Sequence, residues 1–133
     1  MATGAGYDKF CADLAGSSDS IVAAFVISGG RIAGSHIKLN VPALKKEDAD
    51  RLAMQTKSVM EITKSNERLF GELGYVLVHH ESIDGVFFPV GDDATVLAGL
   101  VQPYDLAGIA AQVKKMVDRE SGSFPKKGAV DSI

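Results

Sequence analysis

Seven consecutive apolar residues, Ile21 to Ile27, constrain this chain more than any other stretch. The run is far short of the roughly 20 residues that a membrane-crossing helix needs. It is rich in β-branched residues, and Ser or Gly bounds it on both sides. That combination reads as a strand covered on both faces, an interior member of a sheet. Gly29-Gly30 follows at once and supplies the positive φ angles of a tight hairpin. Arg31 to Leu39 alternates more, as a half-buried partner strand would.

Ahead of this hairpin, Phe10, Cys11 and Leu14 recur at helical spacing and predict a short amphipathic helix over Tyr7 to Leu14. Gly16 to Ser20 is a loop by composition. Behind the hairpin, Asn40 to Lys46 is a connector containing Pro42, and a long helix is expected from about Glu47 to Asn66. At about 100° per residue, Ala49, Leu52, Ala53, Thr56, Val59, Met60, Ile62 and Thr63 fill an arc of about 180°. A helix lying on one surface needs an apolar stripe of only about 100°. This one is therefore expected to touch two surfaces, its own sheet and something else; Met54 falls outside the arc.

Glu67 to Leu73 is a transition containing Gly71, after which Gly74 to His80 reads as a strand. Ser82 to Gly85 is expected to be a hairpin turn, because Asp-Gly pairs favour one. Val86 to Val90 and Ala94 to Val101 are strands around a turn at Gly91 to Asp93. Pro103 suits the N-terminal position of a last helix, Tyr104 to Arg119, with Asp105 in its first turn. The order is helix, two strands, helix, three strands, helix. It predicts an α/β chain of the α+β sandwich kind: a five-stranded antiparallel sheet with the long central helix packed on it. Residues 7–119 are expected to form one domain, between a flexible N-terminus, 1–6, and a flexible C-terminal tail, 120–133.

Several functions are disfavoured. The net charge is −3, and the Lys pairs at 45–46, 114–115 and 126–127 are isolated. A nucleic-acid footprint needs a concentrated basic face, so no nucleic-acid partner is expected. Cys11 is the sole cysteine, which rules out an intrachain disulfide and reads as a small buried hydrophobe. The N-terminus lacks the charged and apolar regions of a signal peptide, so a cytoplasmic protein without membrane insertion is expected. Gly29 to Ser35 is glycine-rich but lacks the Gly-Lys-Ser/Thr ending of a phosphate loop and opens no helix. His79 and His80 are adjacent on an expected strand, where they point to opposite faces and cannot share one metal. Asp84, Asp92 and Asp93 read as turn residues. No nucleophile elbow is present. No enzyme activity, cofactor or metal is expected.

The second half of the chain resembles the roadblock/dynein light chain family. The similarity lies in Glu67 to Glu81, where that family's long helix hands over to its third strand. It continues through Ile83 to Ala98, with a Val-Gly-Asp turn, and Tyr104 to Ile109 at the start of the last helix. Ser28 to Ile32 is compatible with its first hairpin. The resemblance implies a profilin-like layout and a homodimer formed through the long helix and the third strand. It places Leu52, Thr56, Val59, Met60 and Ile62 of the helix at the dimer interface. From the strand it adds Tyr75, Leu77 and His79, with His80 left open. It also implies an adaptor that binds or modulates a small Ras-like GTPase or scaffolds a signalling complex. The alternative is a ligand-sensing domain of PAS- or profilin-like build, which would enclose a cavity between sheet and helix.

Overall fold

The structure is a computed structural model and describes residues 4–38 and 41–120. Helix α1 spans Gly4–Gly16, strand β1 Ile21–Ser28 and strand β2 Arg31–Ile37. Helix α2 spans Lys46–Lys64 and a single helical turn, α3, Glu67–Phe70. Strands β3, β4 and β5 are Val76–Val78, Asp84–Val90 and Ala94–Leu100, and helix α4 is Leu106–Arg119. The sheet runs β2-β1-β5-β4-β3 with every neighbour antiparallel. The five-stranded antiparallel sheet expected from the sequence is present, with β1 in its interior.

Strand alternation divides the core into two layers. Ala24, Val26, Val86, Phe88, Val96, Ala98 and Leu100 face α1 and α4. Tyr7, Phe10, Cys11 and Leu14 meet them from α1, and Ile109, Val113 and Met116 from α4. On the other face Ala23, Phe25, Ile27, Phe87 and Leu97 pack with Ala53 and Met60 of α2. The result is a helix–sheet–helix sandwich.

The first hairpin turns at Gly29 and Gly30, with φ of 61° and 77°. Only a residue without Cβ takes both angles at low cost, so this turn was legible in the sequence. Gly34 is different. It lies within β2, where the register skips Ala33 between the Val26–Gly34 and Ile27–Ile32 pairs. A Cβ at Gly34 would stand 2.4 Å from the Cβ of Tyr7. Helix α1 therefore seats on β2 at the one point where the strand has no side chain.

Four expected boundaries are corrected. The first helix begins at Gly4 and runs to Gly16, beyond the Tyr7 to Leu14 stretch that its periodicity marks. The strand expected over Gly74 to His80 is reduced to Val76–Val78, because only these residues find ladder partners on β4. Asp84 and Gly85 are not a turn: they open β4, opposite Leu100 and Gly99 of β5. Helix α4 begins at Leu106 rather than Tyr104, so Asp105 is the residue at its N-cap and not part of its first turn; the Gln102–Pro103 bond ahead of it is cis. Residues 1–3, Leu39, Asn40 and the tail from Ser121 lie outside the described residues, as do the readings that fall on them.

Candidate functional site

Among the described residues strand β3 is an edge, paired only to β4 through Val76–Phe87, Leu77–Val86 and Val78–Gly85. Val76 and Val78 are half-buried towards the α2 layer. Leu77 and Tyr75 are 43% and 44% exposed. The Tyr75 ring lies 6.0 Å from that of Phe88, tilted by 54°. Just before it, the backbone N–H of Leu73 donates to the Glu67 carboxylate at 2.6 Å, anchoring the link from α3.

The opposite edge is protected. On β2, Arg31, Ser35 and His36 are exposed polar residues, and the Ser35 N–H donates to Asp8 of α1 at 3.0 Å. Charged side chains and a covering element are common ways to prevent a sheet edge from recruiting another strand. β3 has no charged residue of its own.

Helix α2 divides its apolar arc between two surroundings. Ala53, Thr56 and Met60 are 1%, 1% and 4% exposed and face the sheet. The buried Thr56 hydroxyl donates to the Leu52 carbonyl at 2.8 Å, so its polar atom is satisfied within the helix. Leu52 and Val59 are half-buried and Ile62 is 66% exposed. Thr56 and Met60, placed at a dimer interface by the resemblance, are thus inward residues; a side chain covered by its own sheet presents almost no surface to a partner. Leu52, Val59 and Ile62 remain available. Between α2 and β3–β4 lies an open groove of about 560 Å³, whose lining includes Leu44, Leu52, Val59, Val78, Ile83 and Phe87.

A polar cluster closes the far end of β3. Asp84 is 2% exposed and accepts four hydrogen bonds. Oδ2 accepts from the Tyr104 hydroxyl at 2.6 Å and from the Gln102 amide at 3.1 Å. Oδ1 accepts the His80 backbone N–H at 3.2 Å and faces Nδ1 of His79. An ionised carboxylate can only accept, so His79 donates from Nδ1. The Tyr104 bond is the largest influence holding the Asp84 carboxyl down to about 2; burial works against it, and His79 and Gln102 assist. The same Tyr104–Asp84 bond pushes the phenol up to about 12.

His79 is therefore not a strand residue but lies just past β3, tied to Asp84 with its ring 68% exposed. Four donors fill the acceptor sites of the Asp84 carboxylate. The cluster fastens the 79–83 turn to the loop that leads into α4. Reading Asp84 as a turn residue missed this cluster, and nothing local in the sequence connects it to Gln102 and Tyr104. Among the described residues no group of three or more His, Cys, Asp or Glu side chains is placed to hold a metal ion. Among them, too, no helix is long and apolar enough to cross a membrane.

No protein-family model matches the sequence. No curated protein matches it either. Solved structures do match the fold. A roadblock/LC7 domain from Streptomyces avermitilis superimposes with a TM-score of 0.73 at 17% identity, covering 87% of this chain and 95% of that one. The gliding protein MglB from Thermus thermophilus gives 0.67 at 14% identity, covering 81% and 80%. Profilin II from Acanthamoeba castellanii gives 0.52 at 15% identity, covering 88% and 98%. The chain has the roadblock/LC7 fold, and its layout is also profilin-like.

Proposed function

We propose that this chain is a non-enzymatic homodimeric adaptor of the cytoplasm that binds or modulates a small Ras-like GTPase or scaffolds a signalling complex. The observation that carries this reading is the bare β3 edge beside the outward residues of α2. Pairing β3 with β3 of a second copy would satisfy the unpaired backbone groups of both and join two five-stranded sheets into one. The same approach would cover Leu52, Val59 and Ile62 together with Tyr75 and Leu77, with His79 at the end of the seam. The GTPase part of the reading rests on the resemblance to the roadblock family and on the shared fold. The non-enzymatic part is supported by the polar cluster, whose one buried carboxylate is fully occupied by internal donors.

The α2–sheet groove favours a second reading, a small-molecule-sensing domain, because it is apolar and of ligand size. Solution mass by light scattering over a range of concentrations separates the two. A species of twice the 14.0 kDa chain supports the adaptor. Nucleotide hydrolysis and exchange by Ras-like GTPases are then measured with and without the dimer. A monomer at every concentration, with no effect on any GTPase, removes the adaptor reading and leaves the ligand site.

A further inference from the structure

The single turn α3, just ahead of β3, carries the two most exposed large apolar side chains among the described residues. Phe70 is 84% exposed and Leu69 is 67% exposed. Neither takes part in the two core layers. The turn is nonetheless held in one shape. The backbone N–H groups of Leu69 and Phe70 both donate to the Asn66 carbonyl at 3.0 Å, and that of Gly71 donates to the Glu67 carbonyl at 2.8 Å. The bond from the Leu73 N–H to the Glu67 carboxylate secures the chain on the far side. Two adjacent apolar side chains are thus displayed on a clamped turn. An apolar patch held out in this way marks an interaction site, and a fixed aromatic side chain is a common anchor of one.

The groove between α2 and β3–β4 has the complementary shape. Leu52 and Val59 form its α2 wall, and Val78, His80, Ile83 and Gly85 place its other wall at the end of β3 and the start of β4. At about 560 Å³ it is of drug-ligand size, which leaves room for a Phe and a Leu side chain together. The groove opens on the α2 face of the sheet. Turn α3 follows α2 directly, and Leu73, just past it, packs against the α2-side core, so the chain comes to the sheet from that same side. Within one chain the turn and the groove lie at opposite ends of β3: the turn before its start, the groove at its end.

We propose that Leu69 and Phe70 of one copy fill the α2–sheet groove of a second copy, and the reverse. The inference rests on the dimer reading and names what holds that dimer together. With both α2 helices on one face of the joined sheet, a two-fold axis runs perpendicular to it and the two β3 strands are antiparallel. The start of each strand then lies beside the end of the other, which brings α3 of each copy to the open groove of its partner. The area required points the same way. Three strand residues span only about 10 Å, whereas a stable interface takes about 800 Å² from each partner. Most of that area has to come from side chains flanking β3, and Phe70 and Leu69 are the most exposed apolar ones. Each groove is complete only with the other copy's residues, and the site that the second reading gives to a small molecule is closed by the partner.

The test uses the full-length chain and the variant Phe70→Ser. Copies with labelled methyl groups are mixed with unlabelled copies, and NMR contacts between the two are recorded. Contacts from the Phe70 ring of one copy to the methyls of Val59, Val78 and Ile83 of the other are expected. Phe70 is exposed, so Phe70→Ser keeps the urea midpoint of the wild type. Its dimer dissociation constant, from light scattering over a range of concentrations, rises about thirtyfold or more, the loss expected of a hot-spot aromatic. An unchanged constant, or Phe70 contacts that lie elsewhere on the partner, overturns the inference while the dimer stands. A wild type that is monomeric at every concentration overturns the dimer reading and this inference with it.

Discussion

The Tyr104 hydroxyl donates to Asp84 Oδ2 at 2.6 Å, joining the loop before α4 to the first residue of β4. The two residues are twenty positions apart in the chain, and the bond secures the turn that follows β3. It also sets the protonation behaviour of both partners.

A carboxyl held below its usual 3.8 contributes stability that is complete above that value and lost as pH falls through about 2. Tyr104→Phe removes the largest influence lowering it, so the Asp84 carboxyl moves back up. The variant is expected to be less stable than wild type at neutral pH. The gap in urea midpoint narrows between about pH 4 and about pH 2. Denaturation curves by circular dichroism across that window check it, and a gap that does not vary with pH removes Asp84 as the cause.

The phenol gives the alkaline counterpart. With its folded value raised from 10.0 to about 12, Tyr104 contributes stability that is present below about 10 and lost as pH rises towards 12. In an ultraviolet titration of the folded chain, Tyr104→Phe deletes an ionisation near 12. Burial also raises Tyr7, so the high-pH region of the wild type contains that residue as well.

Gly34 and Gly6 form a paired test of how α1 sits on the sheet. A Cβ at Gly34 would meet Tyr7 at 2.4 Å, so Gly34→Ala forces α1 away from β2 and costs about 1–3 kcal/mol or more. A Cβ at Gly6 meets nothing within 4 Å, so Gly6→Ala gains about 0.5–1 kcal/mol from helix propensity. Opposite shifts in unfolding midpoint are expected. Equal effects would mean that the close approach of helix to strand is not what holds this corner.

How much was legible in the sequence depended on how local each cause was. β1 and its Gly-Gly turn came through because an unbroken apolar run and paired positive φ angles are written in adjacent residues. The broad arc of α2 marked the helix as packing on the sheet, but not which of its residues face it. Periodicity fixes angular neighbours, and only the tilt of the helix on the sheet decides that Thr56 and Met60 go inward while Ile62 goes out. At Asp84-Gly85 a local signal misled. Asp-Gly favours a turn, but the carboxylate found donors from Gln102 and Tyr104 and stayed buried at the start of a strand. β3 came out three residues long because an edge strand has one neighbour to pair with, and the sequence carries no record of where that neighbour begins.

The β3 edge gives the decisive substitution for self-association. Leu77 is 43% exposed, so Leu77→Lys places a charge on the strand without opening the core. Surface changes of this kind typically alter stability by no more than about 0.5 kcal/mol. A lysine on an edge strand opposes pairing with another edge. If β3 joins β3, the variant keeps its circular dichroism and urea midpoint while its mass falls from twice 14.0 kDa to that of one chain. Met60→Ala is the contrasting case. Met60 is 4% exposed against the sheet, so its loss is expected to destabilise the fold by about 2–5 kcal/mol through the cavity it leaves. Its effect on mass should appear only where the fold itself begins to fail. A wild type that loses its dimer through Met60→Ala at full foldedness, but keeps it through Leu77→Lys, would place the seam on α2 alone and free the β3 edge for another partner.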